Sequence, residues 1–232
     1  MDDKWGLLIR WGQDKESMLI LTMEVKMKKY YIIITAMLLM IGTMAQNPQW
    51  IIYNHSNSGL PDNDIYSIAI DGSGTRWIGT YGSGLAKFDG TNWTTYNSTN
   101  SGLPDSNVYS IAIDEAETKW IGTYGGGLAK FDGTTWTIYN TSNSGLPNNE
   151  VTSIAIDGSG SKWIGTYGGG LAKFDGTNWT TYNSSNSGLP SDYVTCLMAV
   201  EGGGTKWIGT NLGGLVEFDG TTWANYNTTN SG

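Results

Sequence analysis

Acid/base and nucleophilic chemistry has few carriers in these 232 residues, which hold one histidine, His55, and one cysteine, Cys196. His55 lies in a polar loop, which argues against histidine catalysis and histidine metal ligation. Cys196 has no partner for an intramolecular disulfide, and among Val194, Leu197 and Met198 it reads as a small buried apolar residue. The acidic residues recur at turns, as Asp71, Asp114 and Asp157 and again as Asp89, Asp132, Asp175 and Asp219. Aspartate accepts backbone N–H bonds in turns, so these read as caps. The turns Asp71-Gly-Ser-Gly74 and Asp157-Gly-Ser-Gly160 have the look of a calcium loop. Calcium takes about six to eight oxygens, however, and each turn offers one carboxylate. The corresponding Asp114-Glu-Ala-Glu117 and Glu201-Gly-Gly-Gly204 break the motif. Tyr124-Gly-Gly-Gly127 lacks the lysine and following helix of a phosphate loop. No catalytic residue, metal or cofactor is expected. What remains is a surface. Tyr81, Tyr124, Tyr167 and Asn211 occupy one recurring place among Asn, Ser and Thr residues. Such tyrosines either recognise a small polar ligand, a glycan or a protein, or cover the loop beneath them.

Those four residues are positioned by a repeat. Trp77, Trp120, Trp163 and Trp207 follow one another at steps of 43, 43 and 44 residues. Each period holds four short segments rich in Ile, Val, Thr, Trp and Tyr, bounded by turn residues. In the second period they are 108–113, 119–123, 128–131 and 135–139, here called a, b, c and d. No segment shows helical spacing, so the chain is all-β. Four antiparallel strands in a unit of this length are expected of a β-propeller blade. Four complete blades fall at about 65–96, 108–139, 151–182 and 194–226.

Alternating connections place the b–c tips and the d–a loops on one face. Trp50-Ile-Ile-Tyr-Asn54 matches strand d without a, b or c before it, giving one extra outer strand and an incomplete ring. At least one further a–b–c set is expected beyond Gly232, for five blades or more. Until then open blade edges favour self-association. Nine tryptophans recur in register in strands b and d, a pattern of inter-blade core rather than of a glycan platform. In strand a, Tyr66, Ile68 and Ile70 are bulky while Ser67 and Ala69 are small, as face-to-face blade packing requires. The fourth repeat carries one extra residue within 194–201, read as a β-bulge.

The first 45 residues stand apart. Met27-Lys-Lys-Tyr30, an apolar run to Ile41, and Thr43-Met-Ala45 read as a secretory signal peptide. The apolar run is short of the roughly 18 residues a membrane span needs, so no insertion is expected after cleavage. Residues 1–26 read as translation from an upstream start codon. The chain from Gln46 carries 7 Lys and Arg against 16 Asp and Glu, a net charge of −9. Such a surface repels phosphates, which argues against nucleic-acid binding. An extracytoplasmic location follows: periplasm, cell surface or medium.

Gly-Leu-Pro, a strand ending in Asp, then Trp-Ile-Gly-Thr, Gly-Gly-Leu and Phe-Asp-Gly resemble the two-component regulator propeller repeat, from Trp50 onward. That resemblance implies a periplasmic sensor region of a hybrid histidine kinase, or a secreted surface protein, of the kind abundant in Bacteroidetes. These residues include no kinase, receiver or DNA-binding region, so phosphorylation is not expected of them. The leading reading is a non-catalytic ligand-sensing or interaction module. The alternatives are a structural surface repeat protein and a propeller lyase or glycan-active enzyme. Near-identical blades weigh against the enzyme, because catalysis needs an asymmetric set of side chains.

Overall fold

The computed structural model describes residues 7–8, 22–23, 51–199 and 204–230, in two units, Met1–Ile52 and Tyr53–Gly232. In the first unit β1 (Leu7–Leu8) pairs antiparallel with β2 (Thr22–Met23). The signal peptide read at 27–45 and Trp50 lie outside the described residues, as does the rest of 1–26. Among the described residues no helix is long and apolar enough to cross a membrane.

The second unit holds four sheets of four antiparallel strands in chain order. Blade 1 is β3 (Ile65–Ile70), β4 (Arg76–Thr80), β5 (Leu85–Phe88) and β6 (Trp93–Tyr96). Blade 2 is β7 (Val108–Ile113), β8 (Lys119–Thr123), β9 (Leu128–Phe131) and β10 (Trp136–Tyr139). Blade 3 is β11 (Val151–Ile156), β12 (Lys162–Thr166), β13 (Gly170–Phe174) and β14 (Trp179–Tyr182). Blade 4 is β15 (Val194–Ala199), β16 (Lys206–Thr210), β17 (Gly214–Phe218) and β18 (Trp223–Tyr226). These are the strands a to d expected from the repeat, and the chain is an all-β propeller stack.

The core lies between blades. Trp77 and Leu85 of blade 1 pack with Val108, Ile111, Ile121 and Phe131 of blade 2. Trp120 and Trp163 repeat this one and two blades on, and all three indoles are about fully buried. Gly122 sets the spacing between blades 2 and 3. A Cβ there would meet Val151 Cγ1 at 2.5 Å and the Val151 carbonyl at 3.1 Å. The strand d tryptophans are only half-buried. Each stacks on the phenylalanine of its own strand c, as Trp136 does on Phe131 at 4.3 Å. The Gly-Leu-Pro motif has a packing role. Its glycine lies flush on the next strand d tryptophan, and its leucine (60, 103, 146 or 189) is buried.

Several expectations change. Strand a has a register shift in every blade, between Ile65/Ser67, Val108/Ser110, Val151/Ser153 and Val194/Cys196. The bulge is therefore general and does not absorb the extra residue of the fourth repeat. Ala199 pairs with Lys206 as Ile156 pairs with Lys162, so that residue falls in the a–b connection. Residues 51–54 form no strand, having no strand c beside them. Tyr53 nevertheless keeps a strand d position. It lies 5.5 Å from Phe88 and 5.9 Å from Trp93, as Tyr96 lies 5.5 Å from Phe131 and 5.9 Å from Trp136. Ile111 is buried as the bulky-small alternation requires, but Ile68 and Ile70 are exposed because no blade covers that face of blade 1 among the described residues. Cys196 is exposed, not buried. It stands where Ser67 and Ser110 accept the Ile111 and Ile154 N–H bonds from the next blade, and blade 4 has no such neighbour among the described residues. With Met198 and Leu215 exposed too, the four blades leave both outer faces open among the described residues.

Candidate functional site

The two ends of the blades carry different chemistry. At the a–b end, Asp71, Asp114 and Asp157 do cap their turns. Asp71 Oδ1 accepts the Ser73 and Thr75 N–H bonds. Its Oδ2 accepts the Trp77 indole N–H at 2.9 Å and meets Lys119 of the next blade at 3.5 Å. Lys162 reaches Asp114 at 3.3 Å and Lys206 reaches Asp157 at 3.5 Å in the same way. Each ammonium also lies over the tryptophan of the preceding blade, at 5.0, 4.7 and 4.6 Å. The turn therefore staples adjacent blades. Its carboxylate oxygens are committed to protein donors, which leaves little for a cation. Burial alone would raise these aspartates, but their hydrogen bonds outweigh it, with Lys119 adding to the effect at Asp71 and Lys162 at Asp114. Asp71 and Asp114 are held below the usual carboxylate range, and Asp157 falls to about 2.

The b–c end carries the tyrosines. Backbone bonds fix each tip to the entry of its own strand a: Tyr81 N–H to Asp64, Tyr124 to Asn107, Tyr167 to Glu150 and Asn211 to Tyr193. The Gly84, Gly127 and Gly170 N–H groups donate across to the next blade's d–a loop. Gly127 can do so because its φ of 88° bends the hairpin tip, a conformation that favours glycine. The b–c tips and d–a loops thus share one face, and Tyr81, Tyr124, Tyr167 and Asn211 are all exposed on it.

Two of these tyrosines belong to a larger array that periodicity alone does not reveal. Tyr66 lies 5.8 Å from Tyr81 and stacks on Tyr109 at 5.0 Å, and Tyr109 lies 5.6 Å from Tyr124. The ladder 81–66–109–124 crosses from blade 1 to blade 2. Tyr66 and Tyr109 are the unpaired residues at the strand a bulge, which turns them out of the alternation that Ile68 and Ile111 follow. Blades 3 and 4 have Thr152 and Thr195 at that position, and these bond backbone carbonyls. In blade 3 Tyr167 meets Tyr193 instead, at 4.7 Å. The blades are therefore not equivalent at this face, and Asn211, which brings no ring, donates its backbone N–H to the Tyr193 carbonyl. The signals for this in the sequence are the change from Tyr to Thr at one strand a position and Tyr193 where earlier repeats have Asp64, Asn107 and Glu150.

Residues 59–82 and 145–168 match the model of the two component regulator propeller. No curated protein matches the chain. Among solved structures, the extracellular domain of a protein assigned to the hybrid two component systems of B. thetaiotaomicron is 27% identical with a TM-score of 0.66. The match covers 78% of this chain and 24% of that one. A second such domain from the same bacterium is 26% identical with a TM-score of 0.56, over 71% of this chain and 23% of that one. The chain thus spans about a quarter of the length of these neighbours. Virginiamycin B lyase from Staphylococcus aureus, 14% identical with a TM-score of 0.60 over 77% of this chain and 59% of that one, shares the fold alone.

Proposed function

We propose that this chain, two segments of which match the two component regulator propeller, is a non-catalytic recognition module working outside the cytoplasm. Its b–c face binds the ligand. The ladder of exposed tyrosines supports this reading, because rings that merely covered a loop would be buried against it. Tyr66, Tyr81 and Tyr124 stay about half-exposed, and none of the ladder's hydroxyls has a hydrogen-bond partner among the described residues. The extracellular placement of the neighbouring domains and the signal-peptide pattern support the location.

The reading is tested by measuring thermal shifts and calorimetric titrations of the exported chain against neutral, acidic and basic oligosaccharides and tetrapeptides. A ligand whose effect disappears in Tyr66→Ala/Tyr109→Ala supports it. Binding indifferent to these tyrosines would move the site off this face, and no binding at all points to the alternative, a structural surface repeat protein. Cleavage of any oligosaccharide, seen by mass spectrometry, would overturn the non-catalytic assignment. N-terminal sequencing of the exported protein should begin at Gln46, and an intact cytoplasmic product beginning at Met1 would contradict export.

A further inference from the structure

The charges of the repeats are sorted between the two ends of the blades. Arg76, Lys119, Lys162 and Lys206 open strand b beside the a–b turn. Lys87, Lys130 and Lys173 pair with the strand b tryptophans next to that turn. Together these are all seven Lys and Arg residues from Gln46 onward, and none is on the tyrosine face. That face carries Asp62, Asp64, Asp105, Glu150 and Asp192, in the d–a loops that meet the b–c tips. Asp62 accepts the Ser83 hydroxyl and Asp192 the Ser184 N–H, so both belong to loop structure. Glu150 does not: its half-buried carboxylate has no hydrogen-bond or ion-pair partner among the described residues. Burial accordingly pushes its carboxyl up, and burial, followed by the neighbouring Tyr66 and Glu150, pushes the Tyr109 hydroxyl up. Half-exposed tyrosine rings, with carboxylates around them and no lysine or arginine on that face, attract a cation to the π faces that ring–ring contact leaves open.

We infer that the Tyr81–Tyr66–Tyr109–Tyr124 ladder is a docking surface for a protein segment bearing Arg or Lys side chains. This rests on the proposed recognition role of the face and names its ligand chemistry. The spacing favours a peptide over a single small amine. One cation covers one ring within about 6 Å of its centroid. Alternate side chains of an extended strand lie about 6.5 Å apart, close to the spacing of the rings, so successive guanidinium groups can follow the ladder across two blades. Arginine suits it best, since its planar group stacks on aromatic faces.

The test is calorimetric titration of the exported chain with a capped tetra-arginine peptide, with tetra-glutamate, spermine and a neutral tetrasaccharide as comparisons. Tetra-arginine should bind, more weakly at high salt. Tyr66→Ala/Tyr109→Ala should weaken it about tenfold, as expected of two exposed cation–π contacts. Tyr66→Phe/Tyr109→Phe, which keeps the rings and the fold, should bind as the parent does. Glu150→Gln should weaken binding and flatten its salt dependence. Equal affinity of the parent and the alanine pair, or loss of binding in the phenylalanine pair, would overturn the inference. Spermine binding as tightly as tetra-arginine would overturn the peptide source. A tetrasaccharide or tetra-glutamate that bound in a tyrosine-dependent way, better than tetra-arginine, would overturn the cation chemistry while leaving the recognition face intact. If no probe depends on the tyrosines, both readings fall together.

Discussion

At the scale of single residues, near-identical repeats separate stability from recognition. Trp120 is buried, its indole bonded to Asp114 and covered by Lys162. Trp120→Ala should cost about 3–5 kcal/mol in chemical denaturation. Tyr124→Ala removes an exposed ring and should cost within about 0.5 kcal/mol. Equal losses would mean that the tyrosine is core. The staples give a pH dependence with a definite sign. A carboxyl whose folded pKa is depressed stabilises the protein above its unfolded value near 3.9, and that contribution is lost as pH falls through the folded value. For Asp157 the window runs from about pH 4 down to about 2. Melting temperature should therefore hold from pH 7 to 5 and drop steeply below 4. Asp157→Asn should lower it at neutral pH and make the acid drop shallower. The caps themselves were legible, since Asp before Gly-Ser-Gly announces a turn. The lysine that completes each staple comes from a blade 48 or 49 residues further on, a distance that no local pattern spans. Tyr66 and Tyr109 were hidden for a related reason: alternation shows which residues share a face only until a bulge shifts the register.

At the scale of elements, the strands were legible because each is a short β-branched and aromatic run between turn residues, and strands a, b and c of blade 2 match the reading. What sequence pattern could not supply is the distance between blades. That is set by close approaches such as Gly122 against Val151, and it yields a paired prediction. Gly122→Ala must push Val151 and its carbonyl away, so it should destabilise by about 1–3 kcal/mol, as overpacking does. Gly158, in the a–b turn of blade 3, has open space around it and no positive φ. Gly158→Ala should be neutral or stabilise by up to about 1 kcal/mol by restricting the unfolded chain. Urea melts of the two variants compare them directly. Destabilisation by Gly158→Ala as large as by Gly122→Ala would show that blade spacing is not what glycine protects.

At the scale of the whole repeat stack, both ends present faces built for a neighbouring blade. On blade 1 an apolar groove of about 290 Å³ is lined by Leu60, Ile65, Ile68, Ile78, Phe88 and Trp93, with Arg76 at the position from which Lys119 staples blade 2. On blade 4, Met198 and Leu215 are exposed where counterparts in earlier blades are covered. Tyr53 fills the strand d place against Phe88 beside this groove. Exposed contiguous apolar surface of this kind associates, and contact between two different faces runs head to tail. The exported chain should therefore self-associate with rising concentration in sedimentation experiments. Ile68→Lys should shift it toward monomer, by placing a charge in the groove, and Tyr124→Ala should leave association unchanged. A chain that stays monomeric throughout and melts in one cooperative transition would show that the open faces are tolerated without a partner. Association unchanged by Ile68→Lys but lost with Tyr124→Ala would move the contact to the tyrosine face.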